Sequence, residues 1–343
     1  MSGRRRWIWG PLLSVAVLLA GAGGWVGYQN TYDLTEERVV ITGGRQPLHG
    51  VLARPTGRQG PYGLVVFVHG DGPTDATHDT FYRPLWEAMA EAGYATLSWD
   101  KPGVAGAPGN WLDQSIQDRA DETLAAVAWA RTRPGIDPAR IGLWGASQAG
   151  WVMPRAARQS ADVKFVIAVA PAINWLRQGR YNLLAGLAAR HASPEETAAA
   201  IARSDRTRAA LAAGRSFEQY RADGGDTDGL TPERWEFDKR NHLSDATEDL
   251  AAVRVPVHLV LGGRDTNVDS DDTEAGYRRL LTAPGQLRVQ RLRDATHEML
   301  PESVARSGLR STFLAIAAPR SLFAPGYLDG IREFLASLDH RKG

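Results

Sequence analysis

The stretch IGLWGASQAGWV, residues 141–152, runs from an apolar segment directly into Gly145, Ala146, Ser147, Gln148, Ala149 and Gly150. The apolar part reads as a strand and the part after about 148 as a helix, so one hydroxyl residue stands at their junction. A serine that only caps a helix does not need small neighbours on both sides. A serine exposed on a sharp, strained strand-to-helix turn does, because little room is left two residues before it and two after. Gly145 and Ala149 meet that demand, and Gly150 keeps the following backbone close; alanine stands at 149 where glycine is usual. Two readings compete at this point: an ordinary N-cap, and a nucleophile held out from the end of a sheet.

The rest of the chain supplies what a nucleophile needs. A serine hydroxyl is weak at neutral pH and requires a base, which in turn requires an orienting acid. LVLGGRDTNVD places Asp265 just past a second apolar run, and LRDATHEML places His297 just past a third. Other histidines fit the role of base poorly. His49 and His258 fall inside predicted strands, His78 lies far ahead of the serine, His191 and His242 fall in a helical stretch, and His340 is in the tail. A developing oxyanion also needs donors, which the N–H of Gln148 and a loop after an earlier strand can supply. VFVHGDGP offers that loop, with the Asp71 N–H as first candidate and Gly72 as second. An ionised Asp71 carboxylate beside an oxyanion would oppose it, so its side chain is expected to point away. His69 is expected to organise the loop and Lys101 to be solvated or ion-paired. Of Trp111, Trp144, Trp151 and Trp175, some are expected to line an acyl pocket and the others to fill core.

Around these points the chain alternates. A hairpin is expected at 38–42 and 48–52. Strands follow at YGLVVFVHG (62–70), YATLSW (94–99), 140–144, KFVIAVAP (164–171), VPVHLVLGG (255–263) and 287–292. Helices are expected near 80–93, 116–132, from 148, near 272–282 and near 326–338. Strands alternating with helices imply a doubly wound, mostly parallel α/β sheet. Between 172 and 252 strand signals stop. Ser193-Pro194-Glu195-Glu196 and Thr231-Pro232-Glu233 mark helix starts there, and DGGDTDG marks a loop. The expected organisation is 1–30 as a membrane anchor or signal peptide, core at 31–171, a helical lid insertion at 172–252, and core again at 253–343.

The totals exclude several classes. The 343 residues are 43% hydrophobic and 23% charged, enough for a large core, and the net charge of +1 leaves no footprint for nucleic acid. With no cysteine, disulfides, thiolate metal sites and cysteine nucleophiles are excluded, and no metal-ligand spacing or phosphate-cradling loop implies a cofactor. The N-terminus, MSGRRRWIWGPLLSVAVLLAGAGGWVGYQN, sets three arginines before an uncharged stretch that lasts until Asp33. Its core at 7–28 has the length of a membrane span, which needs about 20 apolar residues. The arginines are expected to stay cytoplasmic, leaving the remaining chain periplasmic or otherwise outside the membrane. Ala20-Gly21-Ala22 also offers a cleavage site, so anchor and signal peptide both stand.

Taken together, HGDGP (69–73), SWDKPGVAG (98–106), GASQAGW (145–151), GGRDTNVD (262–269) and ATHEML (295–300) resemble the α/β-hydrolase superfamily, over about 38–340. The resemblance is closest to bacterial serine esterases with a helical lid between the sixth and seventh strands. It implies Ser147 as nucleophile, Asp265 as acid, His297 as base, and backbone oxyanion donors at Asp71 and Gln148, whose side chain is also placed to touch substrate. The implied reaction is hydrolysis of a small-molecule ester with a small to medium acyl group through an acyl-serine. The same triad serves thioesters, amides, peptides and acyl transfer, and the fold also serves as a non-catalytic, membrane-tethered binding module.

Overall fold

A computed structural model describes residues 20–339. Its eight strands are β1 (Leu34–Ile41), β2 (Leu48–Pro55), β3 (Tyr62–Val68), β4 (Tyr94–Trp99), β5 (Ile136–Ala146), β6 (Val166–Val169), β7 (Val257–Gly262) and β8 (Leu287–Leu292). They form one sheet in the order β1-β2-β4-β3-β5-β6-β7-β8. The first two strands pair antiparallel and β2 meets β4 antiparallel; from β4 onward every pairing is parallel. The α/β reading of the sequence is the architecture found.

β3 shows why a continuous apolar run belongs in the middle of such a sheet. Leu64, Val66 and Val68 point into one core cluster, with helices Ile116–Ala130, Ala149–Gln159 and Ser270–Leu280. Val65 and Phe67 point into the other, with helices Arg83–Glu91 and Tyr327–Asp339. Both faces are covered, so period-two alternation disappears. Burying each of these side chains contributes about 1.5–3 kcal/mol.

The expected hairpin is present but longer, because the charged residues of LTEERVVI sit on an edge strand and take partners there. Glu36 pairs with Arg83 and Glu37 with Arg54. β5 likewise starts earlier than the apolar run, its first residues joining β3 across a register shift between Tyr62 and Leu64.

Segment 172–252 is helical, with Trp175–Ala189, Pro194–Ala212, Phe217–Ala222, Pro232–Asn241 and Thr247–Ala252. Ser193 and Glu196 form a full capping box, and Thr231 accepts from Arg234 N. The segment leaves the sheet at the C-terminal end of β6. That edge also carries the loops after β3, β5, β7 and β8, which are the loops that hold the expected site residues.

The reading of residues 7–28 as an anchor or signal falls mostly outside the described residues. Residues 20–29 are helical. No helix among the described residues is long and apolar enough to cross a membrane. Two further helices, Glu302–Ala305 and Gly308–Ala317, precede the C-terminal helix where the sequence reading placed nothing.

Candidate active site

Ser147 lies one residue past the end of β5 with φ +56°, the left-handed region that a β-carbon disfavours. It is not a cap. The N-cap of helix Ala149–Gln159 is Gln148, and no side chain caps it. The small neighbours are required by contact. A Cβ at Gly145 would stand 2.6 Å from the Ala149 Cβ and 2.7 Å from the Val68 carbonyl oxygen. One at Gly150 would stand 2.5 Å from the Ala172 carbonyl oxygen. The Ser147 N–H donates to Val169 O at 3.0 Å, which ties the strained residue to β6.

Asp265 and His297 come together from the ends of β7 and β8. The His297 Nδ1–H donates to Asp265 Oδ2 at 2.8 Å. The other carboxylate oxygen accepts the N–H groups of Asn267 at 2.7 Å and Val268 at 2.8 Å. The acid is buried, and both of its oxygens accept hydrogen bonds. Burial opposes protonation of His297, but the hydrogen bond and charge of Asp265 outweigh it and hold the imidazole above its ordinary pKa. His297 and Ser147 line the same cavity.

The loop after β3 reaches the elbow from the other side. A Cβ at Gly70 would lie 3.3 Å from Ala146 O and 3.6 Å from the Ser147 Cβ. Basic side chains hold its carbonyls: Lys101 Nζ donates to Gly70 O at 2.6 Å and Gly72 O at 2.7 Å, and Arg119 donates to His69 O. Lys101 is buried, not solvated, with Trp111 under its ammonium at 4.7 Å. Burial, and then the charge of Arg119, push its pKa well below the ordinary lysine value. His69 bridges Tyr82 Oη at 3.1 Å and Trp99 O at 2.6 Å; burial and Lys101 lower its pKa to about 3, so it is a neutral strut.

The Asp71 carboxylate, expected to point away from an oxyanion, is taken up by two side chains. It receives Arg234 Nη1 on both oxygens at 2.9 Å, and Gln148 Nε2 on one at 3.1 Å. Burial works against its ionisation, yet Arg234 and Lys101 keep it below the usual carboxylate range. Arg119 donates to the Gln148 side-chain oxygen, so that amide is locked between Arg119 and Asp71. Among the described residues, the backbone N–H groups of Asp71 and Gln148 donate to no protein acceptor.

The cavity lined by Asp71, Ser147 and His297 holds about 250 Å³. Phe81, Tyr82, Trp144, Met299, Phe323 and Tyr327 make its apolar wall, and His78 also reaches it. Of the four tryptophans singled out, Trp144 lines this cavity; Trp151 and Trp175 stack on each other at 4.9 Å, away from it. No lining residue belongs to 172–252. Instead the insertion holds the loops. Tyr181 Oη donates to Asp265 O at 2.8 Å, Gln178 Nε2 donates to Asn267 Oδ1 at 2.8 Å, and Arg234 grips Asp71. An expected cover over the pocket is, at these contacts, a brace beside it. Arg119, Tyr181 and Arg234 were missed by sequence reading because they lie in helices whose local pattern says only that they are helical.

The family model described as serine aminopeptidase, S33, matches residues 59–304. An uncharacterized 31.7 kDa protein of Escherichia coli is 32% identical over 80 residues, 23% of this chain and 28% of that protein. An uncharacterized peptidase of Bacillus subtilis, YuxL, is 27% identical over 173 residues, 48% of this chain and 26% of that one. The matched portions thus span under a third of these relatives' lengths. The Pyrococcus furiosus esterase Pf2001 superposes with TM-score 0.55 at 17% identity, covering 90% of this chain and 91% of that one. Est1E from Butyrivibrio proteoclasticus, solved with ferulic acid, gives 0.54 at 15%, covering 88% and 98%. At such identities the structural likeness speaks for the fold.

Proposed function

The chain belongs to the serine aminopeptidase S33 family of α/β-hydrolases, and from that premise we propose that it is a serine hydrolase of carboxylic esters with small to medium acyl groups. One observation carries the reading: Ser147, strained outward at φ +56°, shares a cavity with an imidazole whose other nitrogen is bonded to a buried carboxylate. In the proposed reaction the Ser147 oxygen attacks the acyl carbonyl while His297 Nε2 takes its proton. The carbonyl oxygen becomes an oxyanion and receives the N–H groups of Asp71 and Gln148. The tetrahedral intermediate then collapses, the carbon–oxygen bond to the alcohol breaks, and His297 returns its proton to the leaving oxygen. Water repeats the sequence on the acyl-serine and releases the acid. Asp265 keeps its proton count and holds the ring.

An apolar, aromatic cavity of about 250 Å³ sits at the small end of ligand sites, which favours a short or aromatic acyl group. A second reading, cleavage of amides or peptides by the same groups, is favoured by the family's description as an aminopeptidase and by the likeness to the Bacillus subtilis peptidase. We further propose that the catalytic part lies outside the cytoplasmic membrane, since an arginine triplet precedes the uncharged stretch. A C-terminal reporter active only in the cytoplasm would refute that placement.

Wild type should react with a fluorophosphonate and Ser147→Ala should not, with the mutant folded and slower by several orders of magnitude. Equal labelling of the two would sink the nucleophile. A matched series of nitrophenyl esters and aminoacyl nitroanilides separates the two substrate classes.

A further inference from the structure

Helix Gly308–Ala317 turns its apolar side chains the wrong way for a core. Leu309, Phe313 and Ile316 fall on one face, and they are 88%, 66% and 57% exposed. Beside it runs helix 20–29, with Trp25 54% and Tyr28 71% exposed. The two are tied together: Trp25 Nε1 donates to Ala317 O and Asn30 Nδ2 to Ile316 O, each at 2.8 Å. Arg320 completes the joint by donating to Gln29 O and Thr31 O. Single exposed apolar residues are ordinary, but a contiguous set on two bonded helices is not.

Three features of the chain name the occupant. In sequence, helix 20–29 ends the uncharged apolar stretch that begins at Trp7. Tryptophan and tyrosine at its end are the residues that settle at headgroup level. Between Glu302 and Asp329 the chain has Arg306, Arg310 and Arg320 and no acidic residue. Arg320 is spent on Glu87 and Arg306 lies 3.6 Å from Glu302, which leaves the exposed Arg310 on the apolar helix itself. A short helix with an apolar face and a basic flank is the pattern of an interfacial helix on anionic lipid. We propose that Leu309, Phe313 and Ile316, flanked by Trp25 and Tyr28 at the end of the N-terminal segment, form a seating surface for an anionic phospholipid bilayer, which holds the folded domain against the membrane at a second place. The proposal does not depend on the hydrolase reading.

The chain contains no cysteine, so single cysteines can be placed at will. Full-length Leu309→Cys, Phe313→Cys and, as a control on the opposite helical layer, Ala128→Cys are labelled with an environment-sensitive fluorophore. They are then reconstituted in phosphatidylglycerol–phosphatidylcholine vesicles with and without brominated chains. Labels at 309 and 313 should emit further to the blue than the label at 128, and brominated lipid should quench them several-fold more. That contrast should weaken in vesicles of phosphatidylcholine alone. Labels at 309 and 313 behaving like the one at 128 would overturn the proposal. So would blue-shifted labels that brominated lipid leaves unquenched, since protein, either residues 7–19 or a second copy, would then cover the face. Equal contrast in both vesicle types would overturn the anionic requirement.

Discussion

Two loops meet at Ser147, and they use their backbone in opposite ways. The loop after β3 has its carbonyls turned onto Lys101 and Arg119, and its Asp71 N–H, like that of Gln148 after β5, donates to no protein acceptor among the described residues. The loop after β7 does the reverse: the N–H groups of Asn267 and Val268 fold inward onto the Asp265 carboxylate. One loop presents donors to whatever enters the cavity, and the other consumes its donors to fix a charge. In the proposed reaction the difference follows from what each loop must stabilise. A transient oxyanion needs donors that are idle beforehand, whereas a resident carboxylate buried in the fold needs them permanently.

The sharpest break in this comparison is Asp265→Asn. It leaves the shape but favours the wrong tautomer of His297, and kcat should fall roughly 10³–10⁴-fold. The pH profile adds a second signature. In the proposed reaction His297 must be neutral to accept the proton, and Asp265 holds its pKa above the ordinary value. Wild-type kcat/KM should therefore rise with pH along a limb lying above about 6.5. In the variant the burial that lowers the pKa remains and the partner that raises it is gone, so the limb should move to lower pH. A limb that stays in place would separate Asp265 from the base.

Lys101→Met comes next. It removes the donor to Gly70 O and Gly72 O while keeping an apolar stem over Trp111. If idle N–H groups depend on tethered carbonyls, kcat should drop about 10–100-fold with KM little changed, by analogy with loss of one oxyanion donor. A change in KM alone would mean that Lys101 holds substrate and not the loop.

Arg234→Gln tests the same loop from the insertion. The pair with Asp71 is partly exposed, and such pairs contribute about 0–1 kcal/mol, so kcat should fall by about fivefold or less. The smallest effect is expected at the acid loop: Tyr181→Phe loses one hydrogen bond to Asp265 O, worth roughly 0.5–1.5 kcal/mol, and should lower Tm slightly with kcat within a few-fold. If Tyr181→Phe proved more damaging to kcat than Lys101→Met, the contrast between the loops would be reversed.

How much of this was legible beforehand varied by element. The elbow was, because its steric demand is written in adjacent residues, and Gly145, Ala149 and Gly150 meet contacts of the kind their size implied. Asp265 and His297 were also legible, as polar residues placed just past apolar strands. Lys101, expected to be solvated or ion-paired, is instead buried on two carbonyls, since a lysine after a strand looks the same in sequence whatever surrounds its amine. Helix Gly308–Ala317 was not seen at all. Its apolar residues do recur at helical spacing, but only the structure shows that they face outward.

The sequence by itself determined the parallel sheet and the turn on which Ser147 stands, and it set Asp265 and His297 just past two of the strands, because strand patterning and local crowding act between neighbours in the chain. Only the tertiary structure decided that Lys101 and Arg119 empty the donor loop of its carbonyls. It alone decided that Arg234 and Tyr181 from the insertion brace the two loops without lining the cavity. These contacts join residues up to 163 positions apart. Their strength comes from burial, distance and angle, which exist only once the sheet has brought the loops to one edge.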